Sequence, residues 1–155
     1  KDKKKRRDMK RAVLILLLLT MAVPAAFSQK GMAIGELFSS GLEKQSNVVE
    51  VIVKGKKLEP YHLTVFRSLT VKSDAATAER MEKLVLSDAK AATDREQGMT
   101  GGRLYYGFFT FANGDGTFRY VFYRNNLLRK GAKPETTVVY MEGKATLAQL
   151  KSMFK

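Results

Sequence analysis

The chain has 155 residues, with 28 Lys or Arg against 15 Asp or Glu and a formal charge of +13. It holds no cysteine and one histidine. Those counts exclude disulfide staples, thiol nucleophiles, a lipid-modified cysteine and any metal centre built on several His or Cys ligands.

The first 28 residues carry a three-part pattern. Lys1 to Arg11 is strongly basic, Ala12 to Val23 is uncharged and apolar, and Pro24-Ala-Ala-Phe-Ser28 is a small-residue exit. That order predicts a secretory signal peptide, with the basic flank held back while the apolar run enters the membrane. Ala26 and Ser28 suit the small pockets of a signal peptidase, so cleavage is expected at Ser28–Gln29. A permanent span needs about 20 apolar residues, and this run is shorter, so no membrane span is expected after cleavage. Met9-Lys-Arg-Ala-Val is itself a complete n-region and offers a second start point; the paired Arg6-Arg7 lacks the Phe-Leu-Lys of a twin-arginine signal. Residues 29–155 are then expected to form a single α+β domain with 20 basic and 13 acidic residues, net +7. A domain of that size has enough buried surface for one core.

Within that domain, Ala33 to Lys44 predicts a short helix, with Ile34, Leu37, Phe38 and Leu42 near a 3.6-residue period. Val48 to Val53 predicts a strand, and Gly55-Lys-Lys a turn. Tyr61 to Lys72 predicts a second strand, with Leu63, Val65, Leu69 and Val71 on one face, interrupted by Arg67, and a mostly polar other face. Ser73-Asp74 caps a long helix whose stripe is Ala78, Met81, Leu84, Val85, Asp88, Ala89 and Ala92, ending before Gly98. Arg103 to Ala112 and Thr117 to Arg124 predict a hairpin across Asn113-Gly-Asp-Gly116. Its aromatics alternate between faces: Tyr106 and Phe108 on one, Tyr105, Phe109 and Phe111 on the other. That demands cover on both sides or an exposed aromatic surface. Thr136 to Met141 predicts a last strand, and Thr146 caps a closing helix with Leu147, Leu150 and Phe154 inward. The order α-β-β-α-β-β-β-α predicts an α+β fold, a mainly antiparallel sheet of about five strands with helices packed on one face.

The run from Gly55 to Thr70, the ending Tyr140-Met-Glu-Gly143 and the export pattern resemble a family of small exported proteins of unknown function from Bacteroides-type bacteria. The resemblance implies a periplasmic or cell-envelope α+β protein and supplies no activity and no site residues.

The candidate chemistry is sparse. His62 is the only histidine and reads as a surface or edge residue. No Gly-x-Ser-x-Gly elbow occurs, and Ser39-Ser40-Gly41 is not one. Asp88 on the apolar stripe, with Asp94 and Glu96 beyond it, is a candidate acid if burial raises its pKa. Asn113 to Gly116 lacks the spaced ligands of a calcium loop. Tyr106-Gly-Phe-Phe-Thr-Phe111 is similar to an RNA-binding RNP1 run, with Val51 to Gly55 as a faint partner. The basic residue and glycine that should precede it are replaced by Leu104-Tyr105, and a strand follows rather than a helix, so no nucleic-acid partner is expected. No catalytic, cofactor-binding or metal-binding residue is assigned, and no cofactor is expected. The preferred reading is an exported periplasmic or envelope domain that binds an envelope protein or glycan without catalysis. The alternative is a small-ligand-binding protein or hydrolase-like enzyme using Tyr61, Arg67 and Asp88 in a pocket between sheet and helix.

Overall fold

The computed structural model describes residues 31–154. The signal peptide expected over 1–28 and its Ser28–Gln29 bond lie outside the described residues. The sheet has six strands: β1 (Val48–Lys54), β2 (Leu63–Lys72), β3 (Asp94–Thr100), β4 (Arg103–Ala112), β5 (Phe118–Asn125) and β6 (Glu135–Gly143). Among the described residues three α-helices accompany them: α1 (Gly35–Ser39), α2 (Ala75–Ala89) and α3 (Leu147–Met153). Short 3-10 segments occupy Leu42–Lys44, Gly55–Tyr61 and Asn126–Leu128. The strand order is β1-β2-β6-β5-β4-β3, and every neighbouring pair is antiparallel.

The α+β class and the antiparallel sheet agree with the sequence; the strand count and order do not. Strand β3 was not expected. The long helix stops at Ala89, where Ala91 and Ala92 bond back to Asp88 and Ala89 in a tightened last turn. Thr93 then donates to the carbonyl of Thr110 and starts the ladder to β4. Asp94-Arg-Glu-Gln shows no apolar alternation because this edge strand is almost wholly exposed. Burial of one face, the force that writes a period-2 pattern into a strand, is absent there.

The helices do not share one face, as expected from sequence, but lie on both. Successive residues of β6 separate the two cores: Val138 and Tyr140 pack with Met81, Val85 and Ala89 of α2, and Val139 and Met141 pack with Leu150 of α3. The second face of β2 is therefore half-covered rather than solvated, with Phe66, Ser68 and Thr70 each partly buried. The Gly55-Lys-Lys turn is a full 3-10 segment that inserts Leu58 under this second face. The first helix shrinks to five residues because Gly41 takes a left-handed conformation (φ 74°) and breaks it.

Two bulges alter the predicted faces. An extra residue between Leu63 and Val65 moves Leu63 to the α3 face, away from Val65, Leu69 and Val71. In β4, Leu104 opposes Met99 and Tyr106 opposes Gly98, which leaves Tyr105 as the extra residue. The caps match expectation: Asp74 accepts from Thr77 N at 2.7 Å, and Thr146 and Gln149 form a reciprocal capping box.

Candidate functional site

The α2 face is closed by polar clamps. Asp88 accepts from the amides of Ala33 (2.6 Å) and Ile34 (2.9 Å), which fixes the entry to α1. Arg67 donates to Glu50 at 2.5 Å and to the carbonyl of Phe38 at 2.8 Å, and its guanidinium lies 4.7 Å from the Phe38 ring centre. Asp88 and Arg67 thus hold the two ends of the α1 segment. Tyr61 is exposed at the end of the 3-10 segment whose Leu58 packs on the opposite face. The three residues of the pocket hypothesis are not brought together, and Asp88 is occupied as an amide acceptor.

Glu82 was not singled out in the sequence. It is 4% exposed and accepts from Arg103 Nε at 2.7 Å and Leu104 N at 2.9 Å. A signal existed: Glu82 lies on the line Ala78, Glu82, Val85, Ala89, at helical spacing within the buried stripe. Bonding to Glu82 raises the pKa of Arg103 above its ordinary value. Nearby Tyr123 is fully buried, and its hydroxyl has no hydrogen-bond partner among the described residues. Burial first, and the Glu82 charge second, push its ionisation well upward.

The α3 face is different. Between α3 and the β3-β4-β5 end of the sheet lies a cleft of about 380 Å³. Its wall and floor are Tyr105, Tyr106, Phe108, Phe122 and Phe154; its rim carries Glu96, Arg124, Arg129 and Lys151. Phe122 stacks on Phe154, with centroids 4.5 Å apart and planes 10° from parallel, and meets Tyr106 edge-on at 5.7 Å. Such pairs exceed simple area burial by about 1 kcal/mol. The bulge turns Tyr105 onto this face, and Gly98 makes room for it. A Cβ at Gly98 would stand 2.4 Å from Tyr105 Cζ. Gly98, read from sequence as a helix terminator, is instead the space for a cleft wall.

The charges on the rim are unevenly matched. Lys151 pairs with Glu96, which raises the lysine pKa. Burial first, then Glu96 beside it, raise the pKa of Tyr106. Arg124 bonds only to the neutral side chain of Asn126, at 3.1 Å, and Arg129 has no side-chain partner among the described residues. Two guanidinium groups therefore border an aromatic cleft with no carboxylate to answer them. Both belong to the local basic concentration from Arg124 to Lys133 visible in the sequence.

The other candidates resolve as follows. His62 is exposed, ends a 3-10 segment in a left-handed conformation (φ 56°), and accepts from Lys144 N through its carbonyl at 2.8 Å. It borders a shallow depression with Glu59, Glu142 and Lys144. Among the described residues no group of three His, Cys, Asp or Glu is placed to hold a metal. The Asn113–Gly116 segment is a turn, with Asp115 accepting from Thr117 N at 2.9 Å. In the RNP1-like run, Phe108, Phe109 and Phe111 are buried, and Tyr106 lines the cleft. Asp94 opens β3, and Glu96 is the anion on the cleft rim. No helix among the described residues is long and apolar enough to cross a membrane.

No curated protein and no solved structure matches the chain. A family model described as a family of unknown function (DUF6108) matches residues 21–154. That agrees with the resemblance, read from residues 55–70 and 140–143, to a family without an assigned activity. The chain belongs to this family of unknown function, DUF6108.

Proposed function

We propose that this protein is an exported periplasmic or cell-envelope domain that works by binding, with the α3-face cleft as its site. The supporting observation is the cleft's composition: aromatic rings beside two arginines with no carboxylate partner. Concave, mainly apolar sites with a few convergent polar groups are the usual form of ligand pockets. The fitting ligand is an envelope molecule with a flat apolar portion to lie on Tyr105, Phe122 and Phe154 and an acidic group to meet Arg124 and Arg129. Export rests on the basic, apolar and small-residue order of residues 1–28.

The test uses a pair of naphthalene dyes, anilinonaphthalene sulfonate (anionic) and phenylnaphthylamine (neutral). The folded full chain should bind the anionic dye saturably. Arg129→Ala should weaken that binding about tenfold, the scale of one lost charge-assisted contact, and leave the neutral dye unchanged. Phe154→Ala should weaken both. Indifference of both dyes to both substitutions would remove the cleft as the site.

A further inference from the structure

The two edges of the sheet are built differently. β3 is polar and charged along Asp94-Arg-Glu-Gln, and a bulge lies in the strand it pairs with. Those are devices that discourage further strand pairing. β1 has neither. Its sequence is Val48-Val-Glu-Val-Ile-Val-Lys54, and Val49, Val51 and Ile52 are 62%, 44% and 51% exposed. It pairs with β2 in unbroken register and, among the described residues, has no strand beyond it.

We propose that β1 is the seam of a two-fold dimer, pairing antiparallel with β1 of a second copy and extending the sheet across both chains. The register follows from the backbone and the charges. Lys72 N donates to Asn47 O, so odd-numbered positions of β1 turn their peptide groups toward β2. Alternation then turns those of Glu50, Ile52 and Lys54 outward. A two-fold seam must therefore pair even positions with even positions, centred on residue 50, 51 or 52. Centring on Glu50 sets two carboxylates face to face. Centring on Val51 leaves Glu50 opposite isoleucine and calls on Val48 N, which is already bonded to Gln45 O. Centring on Ile52 sets Ile52 against Ile52, and Glu50 against Lys54 on both sides of the axis. Opposite charges directly across a ladder are favourable and like charges are not. On the other face the same register sets Val51 against Val53. The seam is self-complementary, as a two-fold interface requires.

The test begins with light scattering of the full chain during gel filtration, where the mass should be twice that of one chain. Ile52→Lys should give a monomer. Lys54→Glu, at an exposed position and so harmless to the fold, should raise the dimer dissociation constant about tenfold by opposing two carboxylates. The chain lacks cysteine, so single cysteines report register: Ile52→Cys should crosslink between copies faster than Val51→Cys or Val49→Cys. A monomeric wild-type chain, a dimer untouched by Ile52→Lys and Lys54→Glu, or fastest crosslinking at Val51 would each overturn the proposal. Dye binding in the cleft does not depend on this seam, so the two readings fail separately.

Discussion

The two faces of the sheet use similar apolar material to different ends. On the α2 face three charged groups clamp the chain: Glu82 holds Arg103 and Leu104, Asp88 two amides, and Arg67 Glu50 and Phe38. On the α3 face the aromatic rings continue past the end of a short helix into an open cleft, and two arginines are left without a counter-charge. The first arrangement fixes the chain. The second leaves surface and charge available to something else. A single strand, β4, serves both, with Phe109 sealed on one side and Tyr105 38% exposed on the other.

If the faces divide stability from recognition in this way, Phe109→Ala should be the most damaging change. Phe109 is fully buried, and truncating such a ring costs about 3–5 kcal/mol. Denaturant melts measure it, and a cost under about 1 kcal/mol would show that the α2 face is not the rigid one. Glu82→Ala should cost about 2–3 kcal/mol by stranding the buried Leu104 amide and a partly exposed Arg103; chemical denaturation should show a lower midpoint with an unchanged slope. Asp88→Ala should cost about 1 kcal/mol, the usual worth of a side-chain cap, because both amides it holds are half-buried. Its signature is local: the Ile34 amide should exchange with solvent far faster than the Val121 amide. Tyr105→Ala should cost less than about 1 kcal/mol yet weaken dye binding in the cleft. Equal loss of stability and binding there would erase the distinction between the faces.

The smallest effect is in alkali. Tyr106 keeps its proton above the ordinary value near 10, first through burial and then through Glu96. The folded pKa is raised, so this contribution is intact below about pH 10 and is lost as pH rises through the folded value. Tyr106→Phe should flatten that part of the alkaline stability profile; an identical profile in both proteins would contradict the assignment.

β2, β4, β5 and β6 could be read from the sequence because each is buried on at least one face, and burial writes a period; β1 was legible from its β-branched run, since its Val49, Val51 and Ile52 are exposed. β3 could not, because an exposed edge strand has no face to mark and the alanines of α2 run toward it. The bulges at Leu63–Val65 and Tyr105 were equally invisible, since one extra residue changes a face without changing composition. Alternation on β4 showed that its aromatics point both ways, but not that one set would be sealed and the other left partly open. Asp88 is legible as a carboxylate on an apolar stripe. Its role as an amide clamp depends on residues 54 and 55 positions away in sequence.

The position of β6 has a consequence for how the chain acquires its shape. β1 with β2, and β3 with β4 and β5, are local antiparallel units joined by short connections. Neither is a whole sheet until β6 enters between β2 and β5, pairing Leu69 with Val138 and Phe122 with Val139. The pairing with β2 joins residues far apart in sequence and must overcome loop-closure entropy before it yields contacts, and sheets that depend on such pairings fold in about milliseconds to seconds. The two halves therefore wait on the last strand. A chain interrupted before Glu135 would keep its local hairpins without a common sheet, each presenting to water the strand edge that β6 was to cover.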